Sequence, residues 1–426
     1  MQDNVGGLMK ENYDVIIIGG GAAGLFAAGR IDGKKVAVLD HMQRVGKKIL
    51  STGNGRCNLS NENISKEDYF GSEPEFIDSV LSGFTPDDAC RYFESIGVPV
   101  TVKEGRIYPR SLQASAVLDA LRFYAAENGA RIITSFKINS IVKSQDLFEI
   151  KGHIDSEKGT ENYVFYAKSV ILATGGLAAP KTGSDGLGYN IAVSFGHRLK
   201  DTMPHLAPLR SPNKFLPALS GVRIESLITL MIDDKPVMDN YGELQFIKDG
   251  ISGIVTFELC AHAGYALSDG RSVKVLIDLL PGVSKESIKA DLNNRRNVFS
   301  NRTAENMLCG ILNKKIISVL CKLCDISPGG SADDFTKYTV NKFADYLKGL
   351  PVLIKSAYGY DTAQVTAGGI DTSDIDSHTM ESKLCPGLYF AGEILDVTGR
   401  CGGYNLHWAW GSAALAAKNI SESGCA

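Results

Sequence analysis

Residues 13–40 constrain this chain more than any other stretch. They read Tyr13-Asp14-Val15-Ile16-Ile17-Ile18, then Gly19-Gly20-Gly21-Ala22-Ala23-Gly24, then small residues through Arg30, then Val36-Ala37-Val38-Leu39-Asp40. A β-branched run enters Gly-x-Gly-x-x-Gly, a helical stretch follows, and a second apolar run ends on a carboxylate. That is the strand–turn–helix–strand unit that binds dinucleotides. Gly19 permits the tight turn, Gly21 lets backbone approach a pyrophosphate, and Gly24 lets the helix lie close to the strand. Ala22 and Ala23 open a helix whose free N–H groups and positive dipole end face the diphosphate. Asp40 stands where a carboxylate accepts ribose hydroxyls, which favours FAD or NAD over NADP at this site.

The chain has 426 residues, room for two or three domains. A net charge of -3 points to neither a nucleic-acid nor an anionic-membrane partner. No apolar run is long enough to span a bilayer, so membrane insertion is not expected. Met1 to Asn12 is polar and lacks the basic start and cleavage site of a signal peptide, so a cytoplasmic location is expected. Nine cysteines in this length do not make a disulfide scaffold. Cys321 and Cys324 have redox spacing but lie in a helical apolar pattern, which reads as a packed, reduced pair. The seven histidines are scattered, so no metal site is expected.

After Asp40, residues 46–61 alternate glycine, hydroxyl, amide and cationic side chains, with little to bury. This reads as a loop that wraps something polar, with Lys48 and Arg56 placed to neutralise diphosphate charge. Helices are expected over Thr85–Ser95 and Ser111–Asn128, with Arg106–Pro109 an extended turn between them. Residues 130–134, 138–142, 147–150 and 163–166 read as strands. Lys168–Thr174 is a buried strand ending in Ala173-Thr174-Gly175-Gly176, small enough to let a ligand pass over its carboxyl edge. Residues 183–195 open another helix.

The texture then changes to short alternating strands, and later to helices with amide-rich basic stretches such as Asn293-Asn294-Arg295-Arg296. The expected organisation is a cofactor domain of residues 1–195 and 363–426. Into it are inserted a β-rich part, 196–283, a helical part, 284–347, and a return strand of the β-rich part, 348–362. Such an insert caps a cofactor and shapes a substrate pocket. The final segment carries a strand ending in Gly392-Glu393, then Asp396, then Gly399-Arg400-Cys401-Gly402-Gly403-Tyr404-Asn405. A last helix starts near Leu406, its N-terminus again available to a ligand.

Four blocks now stand in order: the glycine-rich unit, Gly46-Lys47-Lys48 to Gly55-Arg56-Cys57-Asn58, Ala173-Thr174-Gly175-Gly176, and Ala391-Gly392-Glu393 to Gly402-Gly403-Tyr404-Asn405-Leu406. Together they resemble the YhiN-like family of FAD-dependent oxidoreductases, which includes aminoacetone-oxidase-like and BaiN-like proteins. Two departures stand out. Ser51-Thr52-Gly53-Asn54-Gly55 replaces a Ser-Gly-Gly-Gly-like stretch, and Ile254 replaces the proline of a Gly-Ile-Ser-Gly-Pro segment, a change placed to reshape the substrate pocket.

The resemblance implies an α/β fold: a Rossmann-like, glutathione-reductase-like FAD domain with a β-rich and helical insert. It implies FAD in an extended pose. Gly19, Gly21, Ala22, Ala23 and Gly24 take the diphosphate and Asp40 the adenosine ribose. The Ile138 backbone meets the adenine. Lys48, Gly53, Gly55, Arg56, Cys57 and Asn58 line the cofactor, as do Ala173, Thr174 and Gly175. Gly392 and Glu393 meet diphosphate and ribityl groups, and Asp396 is a further cofactor-binding candidate. Gly403, Tyr404, Asn405 and Leu406 turn N–H groups to the flavin pyrimidine edge, where negative charge grows on reduction.

No second complete Gly-x-Gly-x-x-Gly unit is present, so NAD(P)H is expected as a transient donor without a domain of its own. Two reactions remain open. One is NAD(P)H-driven reduction of a small hydrophobic enone, such as an unsaturated 3-oxo steroid or bile acid. Tyr404, Arg400 and His407 are the candidate donors to its developing enolate. The other is amine or aminoketone oxidation with oxygen. An RNA-modifying flavoprotein, which needs a basic surface, and a redox sensor switched through Cys57 or Cys401 are alternatives of other classes.

Overall fold

The computed structural model describes residues 8–157 and 159–423; Met1–Gly7 and Cys425 lie outside them. The described residues form two units, one running from 8 to 202 and from 365 to 423, the other from 203 to 364. Residues 196–202, expected in the insert, stay with the first unit. Lys200 N–H donates to Gly369 O at 2.9 Å, and the Lys200 ammonium sits 3.1 Å from Asp396.

The first unit is built on a five-stranded parallel sheet. Its order is Leu388–Phe390, Ser169–Leu172, Val15–Ile18, Val36–Leu39, Arg131–Ile133. Every residue of Val15–Ile18 and Val36–Leu39 is buried, as a parallel sheet covered on both faces requires. This is the α/β Rossmann-like fold expected from the sequence. Helix Ala22–Arg30 packs on helix Tyr404–Glu422, with Phe26 5.4 Å from Trp410 and 4.2 Å from Tyr92 between ring centroids. A second sheet pairs Met9–Asn12 with Gly159–Ala167, Leu147–Ser156 and Phe136–Ser144.

Two local readings are corrected. Arg106–Pro109 is a strand, paired with both Ser60–Asn61 and Val100–Lys103. Its proline closes the strand, and Ile107 alternates into the core. The polar stretch after Asp40 is not all loop: Lys47–Ser51 is a short helix that buries Ile49.

In the second unit, seven antiparallel strands run in the order Leu350–Leu353, Val273–Asp278, Arg223–Ile232, Lys235–Ile247, Gly250–Ser252, Leu209–Arg210, Ser356–Ala357. Its helices include Lys285–Val298, Lys314–Leu323 and Lys337–Lys348. The basic stretch on the first of these does structural work. Arg295 pairs with Asp291 at 2.8 Å, and Arg296 donates to Phe335 O at 2.9 Å. Cys321 and Cys324 are buried, and burial pushes both thiols up to about 12, far from a reactive thiolate. Among the described residues no helix is long and apolar enough to cross a membrane.

Candidate flavin site

Strand Val15–Ile18 stops at Ile18 because Gly19 turns out of the sheet at φ 103°. A Cβ on Gly19 would stand 2.4 Å from Ala173 O, so the glycine turn and the Ala173–Gly175 strand end are in contact. A Cβ on Gly24 would stand 1.9 Å from Gly19 O, which shows how closely helix Ala22–Arg30 lies on the turn. Gly21 is different: nothing lies within 4 Å of its Cβ position. The helix it caps has neither a side-chain cap nor an acid in its first turn. An uncapped, positively polarised helix end facing open space is the seat a diphosphate requires.

Asp40 is fixed beside this turn. Its Oδ2 accepts from Gly20 N–H at 2.8 Å and its Oδ1 from Met42 N–H at 2.7 Å. Each oxygen keeps a lone pair for a ribose hydroxyl. Ile138 lies in strand Phe136–Ser144 opposite Gly152, next to a bulge at Asn139.

The C-terminal block joins this seat from the other side. A Cβ on Gly392 would stand 3.0 Å from Ala23 Cβ. Glu393 Oε1 accepts from Thr366 N–H at 2.9 Å, and Oε2 takes the Lys48 ammonium at 2.6 Å. Lys48 is therefore not an unpaired cation reserved for a diphosphate; it neutralises Glu393 and ties two motifs together. Asp396 is buried, and burial raises its carboxyl above the ordinary value while Lys200 pulls the other way. Arg400, a candidate donor, pairs with Asp68, 3.7 Å away, and its backbone N–H donates to Asp68 O.

Helix Tyr404–Glu422 starts at Gly403, φ 104°, again without a side-chain cap or an acid in its first turn. A Cβ on Gly403 would stand 2.4 Å from Ser60 O and 2.8 Å from Asn58 Oδ1, so only glycine lets the Cys57–Ser60 backbone approach. Asn58 Oδ1 is buried there without a hydrogen-bond partner. Asn405 closes the approach loop, accepting from Gly399 N–H at 2.9 Å and donating to Gly399 O at 2.8 Å. Cys401, Leu406 and Tyr404 are half-buried at this mouth, and the Tyr404 hydroxyl lies 3.4 Å from Asn63 O.

His407 does not join them. It is fully buried, with Nε2 3.0 Å from Phe84 O and Nδ1 2.9 Å from Ser60 Oγ. A carbonyl only accepts, so Nε2 carries the proton and Nδ1 accepts from Ser60. Neither nitrogen is left for a substrate, and the expected donor role is withdrawn in favour of a structural one. Burial pushes the imidazole down to about 4. Its folded pKa lies below the unfolded value, so the stability it contributes is present above about 6.5 and lost as pH falls toward 4. From pH 7 to pH 5 this group alone is expected to cost about 2 kcal/mol. Urea unfolding at both pH values tests this, and His407→Asn should lose correspondingly less over the same interval.

Cys57, at φ 57°, is also buried, and its thiol is pushed up to about 12. That places it far from a thiolate sensor. Gly53 and Gly55 sit in the same left-handed turns, and Arg56 is exposed beside them.

Sequence reasoning missed the residues that hold these loops. Ser412 Oγ accepts from Gly392 N–H at 2.9 Å, Trp408 Nε1 donates to Gly392 O at 3.3 Å, and Trp410 Nε1 donates to Leu59 O at 2.9 Å. Thr366 Oγ1 accepts from Leu177 and Ala178 N–H at 2.8 and 3.0 Å. The i, i+4 spacing of Trp408 and Ser412 after the Gly-Gly-Tyr-Asn block was the available signal.

The residues present therefore fit an extended FAD. Gly19–Gly24 and Asp40 would hold its adenosine diphosphate half, and Gly392–Asp396 and Gly403–Leu406 the flavin half.

Comparison with known proteins agrees. Residues 13–419 match the model of the HI0933-like protein Rossmann domain. The chain is 36% identical over 410 residues to a 3-dehydro-bile acid delta(4,6)-reductase of Clostridium scindens, covering 95% of this chain and 98% of that one. It is 32% identical to a ribosomal RNA dihydrouridine synthase of Haemophilus influenzae, covering 97% and 100% of the two chains. Among solved structures, the 3-ketosteroid-delta4-(5alpha)-dehydrogenase of Rhodococcus jostii RHA1 shares the fold at TM-score 0.50 and 15% identity, over 99% of this chain and 98% of that one. The chain belongs to the HI0933-like Rossmann family and is an FAD-dependent oxidoreductase.

Proposed function

We propose that this chain reduces a C=C bond conjugated to a carbonyl in a small hydrophobic enone of the 3-oxo steroid or bile-acid class, driven by NAD(P)H. The observation that carries this reading is whole-length similarity to the bile acid reductase, at 36% identity over 95% of the chain. FAD held by Gly19–Gly24, Asp40, Gly392–Asp396 and Gly403–Leu406 would supply hydride-transfer chemistry between NAD(P)H and the enone β-carbon. The chain's part is to orient and to stabilise charge. The N–H groups at Gly403–Leu406 oppose the negative charge that grows at the pyrimidine edge. Tyr404 is the hydrogen-bond donor to the enone oxygen, where enolate charge develops as hydride arrives; the enolate then takes its α-carbon proton from water.

A second reading comes from the ribosomal RNA dihydrouridine synthases, which match 97% of this chain. In uracil the C5=C6 bond is conjugated to the C4 carbonyl, so the same hydride addition at a β-carbon would serve.

Anaerobic spectroscopy separates the readings. NADH or NADPH should bleach the flavin, and a 3-oxo-Δ4 steroid or bile-acid enone should restore its colour. Recolouring by a uridine-containing ribosomal RNA fragment, and by no enone, would transfer the assignment to the second reading. No bleaching by either nicotinamide, with oxygen uptake on an amine or aminoketone, would replace both with an oxidase.

A further inference from the structure

The hairpin joining Val100–Lys103 to Arg106–Pro109 carries an uncompensated charge. Lys103 lies directly opposite Arg106 across the ladder, and like charges so placed destabilise a strand pair. Glu104 sits in the turn between them. Yet among the described residues neither cation has a carboxylate partner within 4.0 Å. Alternation places Thr101, Lys103, Arg106 and Tyr108 on one face, while Ile107 is buried on the other.

That face adjoins the flavin seat. Asn61 pairs with Arg106 across the neighbouring ladder, and its Nδ2 donates to Gly402 O at 3.1 Å. A Cβ on Gly53 would stand 3.7 Å from Tyr108 Cε1. A charge arrangement that costs the hairpin stability, with no return inside the fold, is the kind of local violation found at functional sites.

We propose that this face holds the adenosine 2′-phosphate of NADPH, so that NADPH rather than NADH is the electron donor. Two facing cations match one dianion. The Tyr108 ring beside them offers a surface for the adenine. The chain as a whole carries a net charge of -3, so the positive spot is local, which suits a compact anion better than a long polyanion. This inference rests on the NAD(P)H-driven reading and names its donor.

The test uses the FAD-loaded protein. Calorimetric titration with 2′,5′-ADP and with 5′-AMP should show the first bound at least tenfold more tightly. Lys103→Met combined with Arg106→Met should abolish that preference while FAD content stays unchanged. In anaerobic stopped flow, the same variant should need at least tenfold more NADPH for half-maximal flavin reduction, with NADH unaffected. Equal binding of the two probes by the wild type, or a preference that survives in the variant, overturns the inference. So does a single-stranded RNA whose binding the variant loses while its 2′,5′-ADP binding persists. Equal reduction by NADH and NADPH overturns this inference alone, whereas reduction by neither overturns the NAD(P)H-driven reading along with it.

Discussion

Gly21→Glu is expected to yield a folded protein that holds no flavin. Gly21 has φ -82°, a conformation open to any residue, and no atom lies within 4 Å of its Cβ position. The chain alone therefore accommodates a side chain there without strain. The bound cofactor does not, because the same space faces the uncapped N-terminus of helix Ala22–Arg30. A glutamate would occupy the diphosphate's volume and set its own negative charge against the helix dipole. Steric exclusion and like-charge repulsion together are expected to weaken FAD at least a hundredfold, or about 3 kcal/mol. The measurement is flavin absorbance per chain after purification, with circular dichroism to show that the fold persists. A Gly21→Glu protein as yellow as the wild type would remove the diphosphate from this turn.

That variant tests what could be read directly from residues. The Gly19–Gly24 turn was legible because each glycine answers a local constraint with a short chain separation. The strand Val15–Ile18 was legible because a buried parallel strand reads as an unbroken apolar run. Legibility fell where partners come from far away in the chain. Lys48 looked like an unattached cation until Glu393, distant in sequence, was found 2.6 Å away. His407 looked like a donor because it follows the Gly-Gly-Tyr-Asn block; its partners Ser60 and Phe84 give no pattern in the sequence. Arg106–Pro109 looked like a turn because a proline and a nearby glycine dominate so short a stretch. The ladder to Ser60–Asn61 that makes it a strand depends on a non-local pairing. The motif positions were thus readable, while the side chains that hold them were not.

The largest loss of stability is expected at Gly24, and the contrast with Gly21 separates fold from cofactor. By helix propensity alone, Gly24→Ala should stabilise the protein by about 1 kcal/mol. Sterics oppose it. The added Cβ would stand 1.9 Å from Gly19 O, 3.0 Å from Gly19 C and 3.3 Å from Ile17 Cγ2. Gly19 cannot retreat easily, since its N–H donates to Leu39 O at 2.9 Å and its own Cβ direction already meets Ala173. The helix cannot retreat easily either, because Phe26 is packed against Tyr92 and Trp410. Relief requires a shift of roughly 1 Å between helix and sheet, and overpacking of this kind costs about 1–3 kcal/mol even where side chains can adjust. Against backbone the cost should reach about 3–5 kcal/mol, at the far end of single-residue effects. Gly24→Ala should therefore unfold at markedly lower urea or accumulate as insoluble protein. Gly21→Ala, made alongside it, should keep its unfolding midpoint in the FAD-free form. Equal stability of the two alanine variants would show that the helix has room to move, and that close packing at Gly24 does not hold the turn in place.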